Sequence, residues 1–287
     1  MADPKEVKRL QELAYDMRQK LINLCGQYDG VVHIGGDLSM TDLLIGLYHH
    51  GMKVTPDNIK DPYRDRFLLS KGHGAVCMYI AMSLRGYFKY DEIVQTYGQL
   101  DSAYGMHPCK IQLPGVECST GSLGQGLAVA VGLAFSARQK KQTHRVFCMM
   151  GDGETCEGEI WEAANTAGSY KLGNLIGIVD RNKQLMTSFD TDYIHLEPYA
   201  DKWRAFNWNA VEINGHDMGQ IVDALDNLPP INNEKPTVII ASTVKGKGVS
   251  FMERNIGWHA GALSAEDTQK ALADIESDYA RVRSASS

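Results

Sequence analysis

Two short apolar runs, Val146-Phe147-Cys148-Met149-Met150 and Leu175-Ile176-Gly177-Ile178-Val179, are joined by a segment with helical periodicity. Uninterrupted apolar runs of this length read as strands buried on both faces, the mark of a parallel sheet covered by helices. Between them, residues 157–170 put Ile160, Ala163, Ala164, Ala167 and Tyr170 on one side of a helix. Such a strand–helix–strand unit takes the right-handed crossover, which brings both strand ends to one edge of the sheet. At those ends stand Gly151-Asp152-Gly153 and Asp180-Arg181-Asn182-Lys183-Gln184, with 30 residues from Asp152 to Asn182. An acid and an amide therefore meet at the carboxyl edge, where open α/β sheets bind their ligands.

The remaining pattern fits the same class. Amphipathic helices are expected over residues 5–25 and from Thr41 to Tyr48, the second capped by Ser39 or Thr41. A third helix over 74–85 follows Lys71-Gly72-His73-Gly74 directly, and residues 123–138 form a buried helix rich in small residues. Val211 to Ile213 and Thr237 to Thr243 read as further strands, and Glu266 to Arg281 as a terminal helix. No repeat, low-complexity tract or linker interrupts the 287 residues, so the expectation is one α/β domain over 1–287, a parallel sheet with helices on both faces.

Composition narrows the function. A net charge of −6 without a long basic run argues against a nucleic-acid surface. No apolar run approaches the ~18 residues of a membrane span. The segment Met1 to Lys20 is charged and lacks the apolar core of a signal peptide. The six cysteines have neither CxxC nor zinc-ligand spacing, which suits reduced thiols in the cytoplasm.

Magnesium takes oxygen ligands in an octahedron, usually one or two protein groups completed by phosphate oxygens and water. Asp152 offers a carboxylate, Asn182 an amide oxygen and Gln184 a backbone carbonyl. Gly151 and Gly153 allow a tight turn and close approach of a diphosphate. Gly-Asp-Gly alone is also a common strand-end turn; the paired amide on the second strand makes the functional reading the stronger one.

These residues, in this spacing, resemble the thiamine diphosphate signature. Further segments resemble the N-terminal part of the transketolase family: Arg64-Asp65-Arg66-Phe67-Leu68-Leu69-Ser70-Lys71-Gly72-His73-Gly74, Gly105-Met106-His107-Pro108, Thr120-Gly121-Ser122-Leu123-Gly124-Gln125-Gly126 and Asn214-Gly215-His216-Asp217. They occur in the family's order and cover nearly the whole chain. The resemblance implies that Asp152, Asn182 and the Gln184 carbonyl bind Mg2+, or Ca2+ or Mn2+ in its place. Gly153 and Asn182 would touch the diphosphate, His73 would reach the cofactor, and Gly121, Ser122 and Leu123 would line its ring region. His33 and His107 would contact sugar hydroxyls and assist proton transfers, and His259, in Gly257-Trp258-His259-Ala260, would be a catalytic and cofactor-binding histidine. Imidazole suits that work because it titrates near neutrality.

Bland alternatives accompany these roles. His49, His50, His144 and His195 read as surface or packing residues, and His216 as the organiser of a turn. Lys245 and Lys247 are open between facing the diphosphate and lying in a solvated turn. The resemblance puts Glu157 and Glu162 at an inter-subunit contact that relays protons; surface acids near a helix start are the alternative. Five residues turn about 140° on a helix, so the two share a face only if Glu157 precedes it.

The family's pyrimidine-activating glutamate and its substrate-phosphate groups belong to a downstream domain, and this chain stops at Ser287. The expectation is the diphosphate-binding half of a split transketolase, inactive alone. It would work with a separate C-terminal, pyrimidine-binding subunit, in an α2β2 heterotetramer. The start at Met1 and the polar Ser284-Ala285-Ser286-Ser287 end suit an entire subunit rather than an excised domain. The expected reaction is transfer of a two-carbon ketol unit between sugar phosphates. Gly98-Gln99-Leu100-Asp101-Ser102 and Ile34-Gly35-Gly36-Asp37 depart from the family's "RQLHS" and "PGAP" runs, so a branched or sulfonated sugar is open as substrate. Alternatives are a component like 1-deoxyxylulose-5-phosphate synthase or 2-oxoacid dehydrogenase, and a non-catalytic binding module.

Overall fold

The computed structural model describes residues 1–285, apart from the side chains of Thr191, Tyr193 and Ala285. In chain order the elements are α1 (Pro4–Gln27), α2 (Ile34–Gly46), β1 (Arg66–Leu69), α3 (Ala75–Leu84), α4 (Tyr90–Thr96), α5 (Gln125–Gln139), β2 (Val146–Gly151) and α6 (Gly158–Ser169). Then follow β3 (Leu175–Arg181), the single turn α7 (Asp190–Tyr193), α8 (Tyr199–Ala205), β4 (Asn209–Asn214), α9 (Met218–Asp226), β5 (Thr237–Ser242) and α10 (Ala265–Ala285).

The five strands form one sheet in the order β1-β2-β3-β5-β4, and every neighbouring pair is parallel. Alternation along the strands divides the core in two. Phe67, Leu69, Phe147, Met149, Ile176, Ile178 and Ile239 face α1, α2, α3 and α9. Leu68, Val146, Cys148, Met150, Leu175, Val179, Val238 and Ile240 face α5, α6 and α8. With both faces covered, the central strands have no need of polar residues, and β3 is buried at all seven positions. Among the described residues, no helix is long and apolar enough to cross a membrane.

The helix expected from Thr41 to Tyr48 begins earlier, at Ile34, and runs on through a π-helical turn at Leu47–Gly51. Ser39 and Thr41 are not caps. They lie inside α2, where the Thr41 hydroxyl donates to the Asp37 carbonyl and the Ser39 hydroxyl lies 2.9 Å from the Gly36 carbonyl. His33 holds the cap position without a side-chain cap bond, and every residue of α2 is buried, so neither a cap nor an apolar stripe marks the start. Strand β1 falls within the segment noted for its motif, Asp65 to Gly74, and pairs with β2 from Arg66↔Val146 to Leu69↔Met149.

Small residues allow the motif turns to touch. A Cβ on Gly126, in the first turn of α5, would lie 2.7 Å from Ser70 Cα. One on Gly72 would lie 2.7 Å from the Gly121 amide nitrogen. The Ser70–Gly74 turn, the Thr120–Gly126 turn and the N-terminus of α5 are thus packed backbone to backbone at the carboxyl edge of β1 and β2.

Candidate active site

The two strand ends that the sequence singles out are neighbours. Gly151 pairs with Asp180 in the β2/β3 register, and the Asp152 amide donates to the Asp180 carbonyl at 3.3 Å. Beyond them opens a cleft of about 470 Å³ lined by residues from several separate segments, among them Asp152, Asn182, Gln184, His33, His73 and His259. Asp152 is 1% exposed. Its Oδ1 accepts the Gly153 N–H at 2.8 Å; its Oδ2 accepts the Lys183 N–H at 2.6 Å and Arg181 Nη1 at 3.0 Å. Asn182 Oδ1 accepts the Gln184 N–H at 3.1 Å. The Gln184 carbonyl accepts from the Lys245 ammonium at 3.1 Å. Lys245 also donates to the Leu185 carbonyl, and its Nζ lies 3.3 Å from His259 Nδ1.

Three histidines meet in the cleft. Ring centroids are 5.1 Å apart for His33 and His73, 5.5 Å for His33 and His259, and 5.8 Å for His73 and His259. Burial, then Lys71, pushes the His73 imidazole down to about 2. Burial, then Lys245, pushes His259 down to about 4, and burial with His107 and Lys71 lowers His33. All three are neutral at pH 7 and able to accept a proton or a hydrogen bond. His107 faces Gly121, where a Cβ would lie 3.0 Å from its ring, and its carbonyl accepts the Tyr79 hydroxyl at 3.1 Å.

Gly121, Leu123, Gly153 and His107 also line the cleft, whereas Ser122, between Gly121 and Leu123, is exposed and is not part of the lining. Glu157 stands at the position preceding α6, so it does lie before the helix, and it packs against Gly124, whose φ of +90° excludes most side chains. Glu157 and Glu162 are both exposed and lie outside the cleft. Lys245, 4% exposed, is not in a solvated turn; burial and Lys71 lower its ammonium to about 8. Among the described residues its hydrogen bonds go to two carbonyls and an imidazole, with no carboxylate. Lys247 turns away and pairs with Asp278 and Glu253. His216 organises a turn, as expected. Its Nε2 accepts the Val244 N–H at 2.8 Å, so the proton resides on Nδ1, which donates to Asp42. Arg18 grips the same carboxylate with both nitrogens.

Three buried polar residues escape sequence reasoning. Asp180, fully buried, accepts Ser39 of α2 at 2.6 Å, Lys71 at 2.6 Å and Thr243 beyond β5. Burial pushes its carboxyl up, but Lys71, Ser39 and Thr243 outweigh that and hold it below the usual range. Lys71 is the second: burial lowers its ammonium, Asp180 outweighs it, and the net shift is upward. Glu154 is the third. It accepts Ser70 Oγ, the Gly124 N–H at 2.9 Å and the Gly151 N–H at 3.0 Å, joining three motif turns through one carboxylate. The available signal was its own position: an acid two residues after Asp152, facing Gly-rich turns that expose N–H groups.

A family model described as transketolase, thiamine diphosphate binding domain, matches residues 10–279. The chain belongs to the transketolase family, as its N-terminal type. Among transketolase relatives, an apulose-4-phosphate transketolase subunit of Phocaeicola vulgatus is 38% identical over 271 residues, covering 94% of this chain and 91% of that one. A 6-deoxy-6-sulfo-D-fructose transketolase subunit of a Clostridium species is 38% identical, with 94% and 98% covered. The crystal structure of Campylobacter jejuni transketolase superimposes with a TM-score of 0.87 at 32% identity, covering 96% of this chain but 43% of that one. The chain thus spans less than half the length of that transketolase and nearly all of the two relatives named as transketolase subunits.

Proposed function

We propose that this chain is the diphosphate-binding subunit of a split, thiamine diphosphate-dependent transketolase. The observation that supports it is the meeting, in one cleft, of an oxygen donor set, two lysines and neutral imidazoles, in a chain matched to the family over residues 10–279. The donors are one carboxylate (Asp152), one amide oxygen (Asn182) and one carbonyl (Gln184). Among the described residues no three or more His, Cys, Asp or Glu side chains form a closed metal cage. Such an incomplete oxygen set suits Mg2+, or Ca2+ or Mn2+, whose remaining positions phosphate oxygens and water would fill. Lys245, without a carboxylate partner, and the Gly153 turn complement the diphosphate charge.

When bound, the cofactor supplies a nucleophilic thiazolium carbon and an electron sink for cleaving the donor C2–C3 bond. The chain's own part is binding and proton handling. His73, Gly121 and Leu123 would face the cofactor, with Ser122 beside them. His33, His107 and His259 would contact sugar hydroxyls and accept their protons, as an imidazole can. Glu157 and Glu162, exposed beside α6, would relay protons between sites across a contact with a neighbouring subunit.

The partner would be a separate C-terminal subunit carrying the pyrimidine-binding site, in an α2β2 assembly in the cytoplasm. The substrates would be a ketose donor and an aldose acceptor. The two relatives named as transketolase subunits are named for a branched and a sulfonated sugar. Gly98 to Ser102 lacks the arginine and histidine of the family's run, which favours an unusual sugar of this kind. Calorimetry of the chain with its partner decides the reading. Magnesium and thiamine diphosphate should bind, and Asp152→Ala should abolish binding. Wild-type affinity in that variant would remove the site assignment. Ketol transfer measured against pyruvate decarboxylation separates transketolase from its decarboxylating relatives, and neither activity with bound cofactor would indicate a binding module.

A further inference from the structure

Arg181, the last residue of β3, has a side chain only 3% exposed and holds groups from two sides. Its Nη1 donates to Asp152 Oδ2 at 3.0 Å. Its Nη2 pairs with Asp190 and with Glu197 Oε1, the latter at 3.0 Å. The guanidinium lies over the Tyr199 ring, 4.8 Å from its centroid. Tyr199 in turn donates to Thr155 Oγ1 at 3.1 Å, and Thr155 Oγ1 donates to the Asp152 carbonyl at 2.6 Å. Two routes therefore connect Asp152 to the stretch that ends at Tyr199.

That stretch forms a wall of the cleft. Leu185, Met186 and Ile194 line it, yet Met186 and Ile194 are 66% and 39% exposed, and Phe189 is 37% exposed. Apolar burial therefore holds little of residues 185–195, and the stretch enters the core only at Leu196, 5% exposed. Their backbone ties are mostly local: a bridge between Gln184 and Phe189, the Leu185 N–H to Ser188, the Asp190 N–H to Lys183, and the turn bonds Asp192 N–H to Phe189 and Ile194 N–H to Asp190, with Lys245 reaching the Leu185 carbonyl from outside. Apart from Leu196 the side-chain anchors are ionic: Asp190, buried, and Glu197, at the solvent edge, both end on the one guanidinium. A planar fork with fixed N–H directions can serve carboxylates on two sides, which a lysine ammonium cannot do equally well.

We propose that Arg181 is a positioning residue that fixes the Asp152 carboxylate and the 185–197 wall against each other, so that the cleft is built before any ligand arrives. The part of this inference that concerns ligand affinity rests on the cofactor reading above; the part that concerns the wall does not.

Hydrogen exchange of the ligand-free chain tests the second part. Arg181→Met should speed exchange across 185–197 about tenfold or more and leave β1, β2 and β5 unchanged. Arg181→Lys should keep the charge but restore protection only in part. Asp190→Asn, which leaves Asp152 and Arg181 in place, should loosen the same residues. Calorimetry with Mg2+ and thiamine diphosphate, partner subunit present, tests the first part: about tenfold weaker binding for Arg181→Met and a smaller loss for Asp190→Asn. Unchanged exchange at 185–197 in Arg181→Met overturns the proposal, as does uniformly faster exchange over the whole sheet, which would make Arg181 a general stabiliser. Loosened residues with wild-type affinity would break the link to Asp152. If the wild type binds no cofactor, the functional reading fails, while exchange still decides whether Arg181 holds the wall.

Discussion

The two flanks of the cleft are held by opposite chemistry. On the β1–β2 side, the buried Glu154 carboxylate collects one hydroxyl and two backbone N–H groups, all from glycine-rich turns. On the β3 side, the Arg181 guanidinium collects three carboxylates, one of which, Glu197, has a side chain 65% exposed. A buried carboxylate facing neutral donors leaves each donor stranded if it is removed. A cation facing several acids, one of them at the protein surface, can lose that one and keep the rest. The first flank should therefore behave as part of the folding core and the second as an adjustable wall.

The sharpest way to break this contrast is Glu154→Ala. It leaves the Gly124 and Gly151 N–H groups and the Ser70 hydroxyl without their acceptor and opens a gap between three turns. The loss expected in chemical denaturation is about 4 kcal/mol. A loss below about 1 kcal/mol would mean water replaces the carboxylate and the flank is not part of the core. Asp180→Asn should come next, at about 3 kcal/mol, because the Lys71 ammonium, buried beside it, would lose its counter-charge. Lys71→Met together with Asp180→Asn should recover part of that loss, since no unpaired charge then remains.

The sheet and the edge at which the cleft opens were legible in the sequence because they follow local rules. Apolar runs set β2 and β3, and Gly-Asp-Gly and Asp-Arg-Asn mark their ends within a residue or two of the observed Gly151 and Arg181. The holding residues were not legible because their partners are remote. Asp180 meets Ser39 and Lys71, 141 and 109 residues away, and Glu154 meets Ser70, 84 residues away. In sequence, Asp180 is only a polar residue after an apolar run. Arg181 reads as part of a loop, though its backbone pairs with Ser242 as strand. The start of α2 was missed for a related reason. A helix buried all round has no stripe, and Ile34-Gly35-Gly36 carries poor helix formers whose smallness serves packing, as at Gly35 against the Trp258 carbonyl.

Acid should separate the flanks in time. His73 belongs to the first flank, and its folded pKa of about 2 lies below the ordinary histidine value of 6.5. The unfolded chain then binds the proton more readily, so stability falls as pH drops below about 6.5 and continues to fall toward the folded value. By pH 4.5 the penalty is about 3 kcal/mol, and His73→Gln should flatten that part of the stability profile. Glu197, on the second flank, behaves otherwise. The Tyr199 N–H and Arg181 hold its carboxyl below the usual value, so its contribution is present above about pH 4.5 and disappears only as pH falls further. Denaturation midpoints followed from pH 7 to 3 should show the histidine loss first; the reverse order would reverse the assignment of the flanks.

The smallest effect tests the adjustable wall most directly. Glu197→Gln removes one of three acids from Arg181, at the solvent edge, and leaves Asp152 and Asp190 on the fork. Screening by water makes an exposed pair worth little, so global stability should change by less than about 1 kcal/mol. The local consequence is larger than the global one. Glu197 Oε2 also accepts the Tyr199 N–H at 2.8 Å, at the point where the wall joins α8. Proteolysis within 185–197 reports that local opening, because cleavage follows the population of the open segment when reclosing is fast. Faster cleavage there, with an unchanged denaturation midpoint, is the outcome expected of a wall that moves independently of the core. A midpoint shift of the size expected for Glu154→Ala would instead make the two flanks one cooperative unit, and the contrast between them would be chemical only.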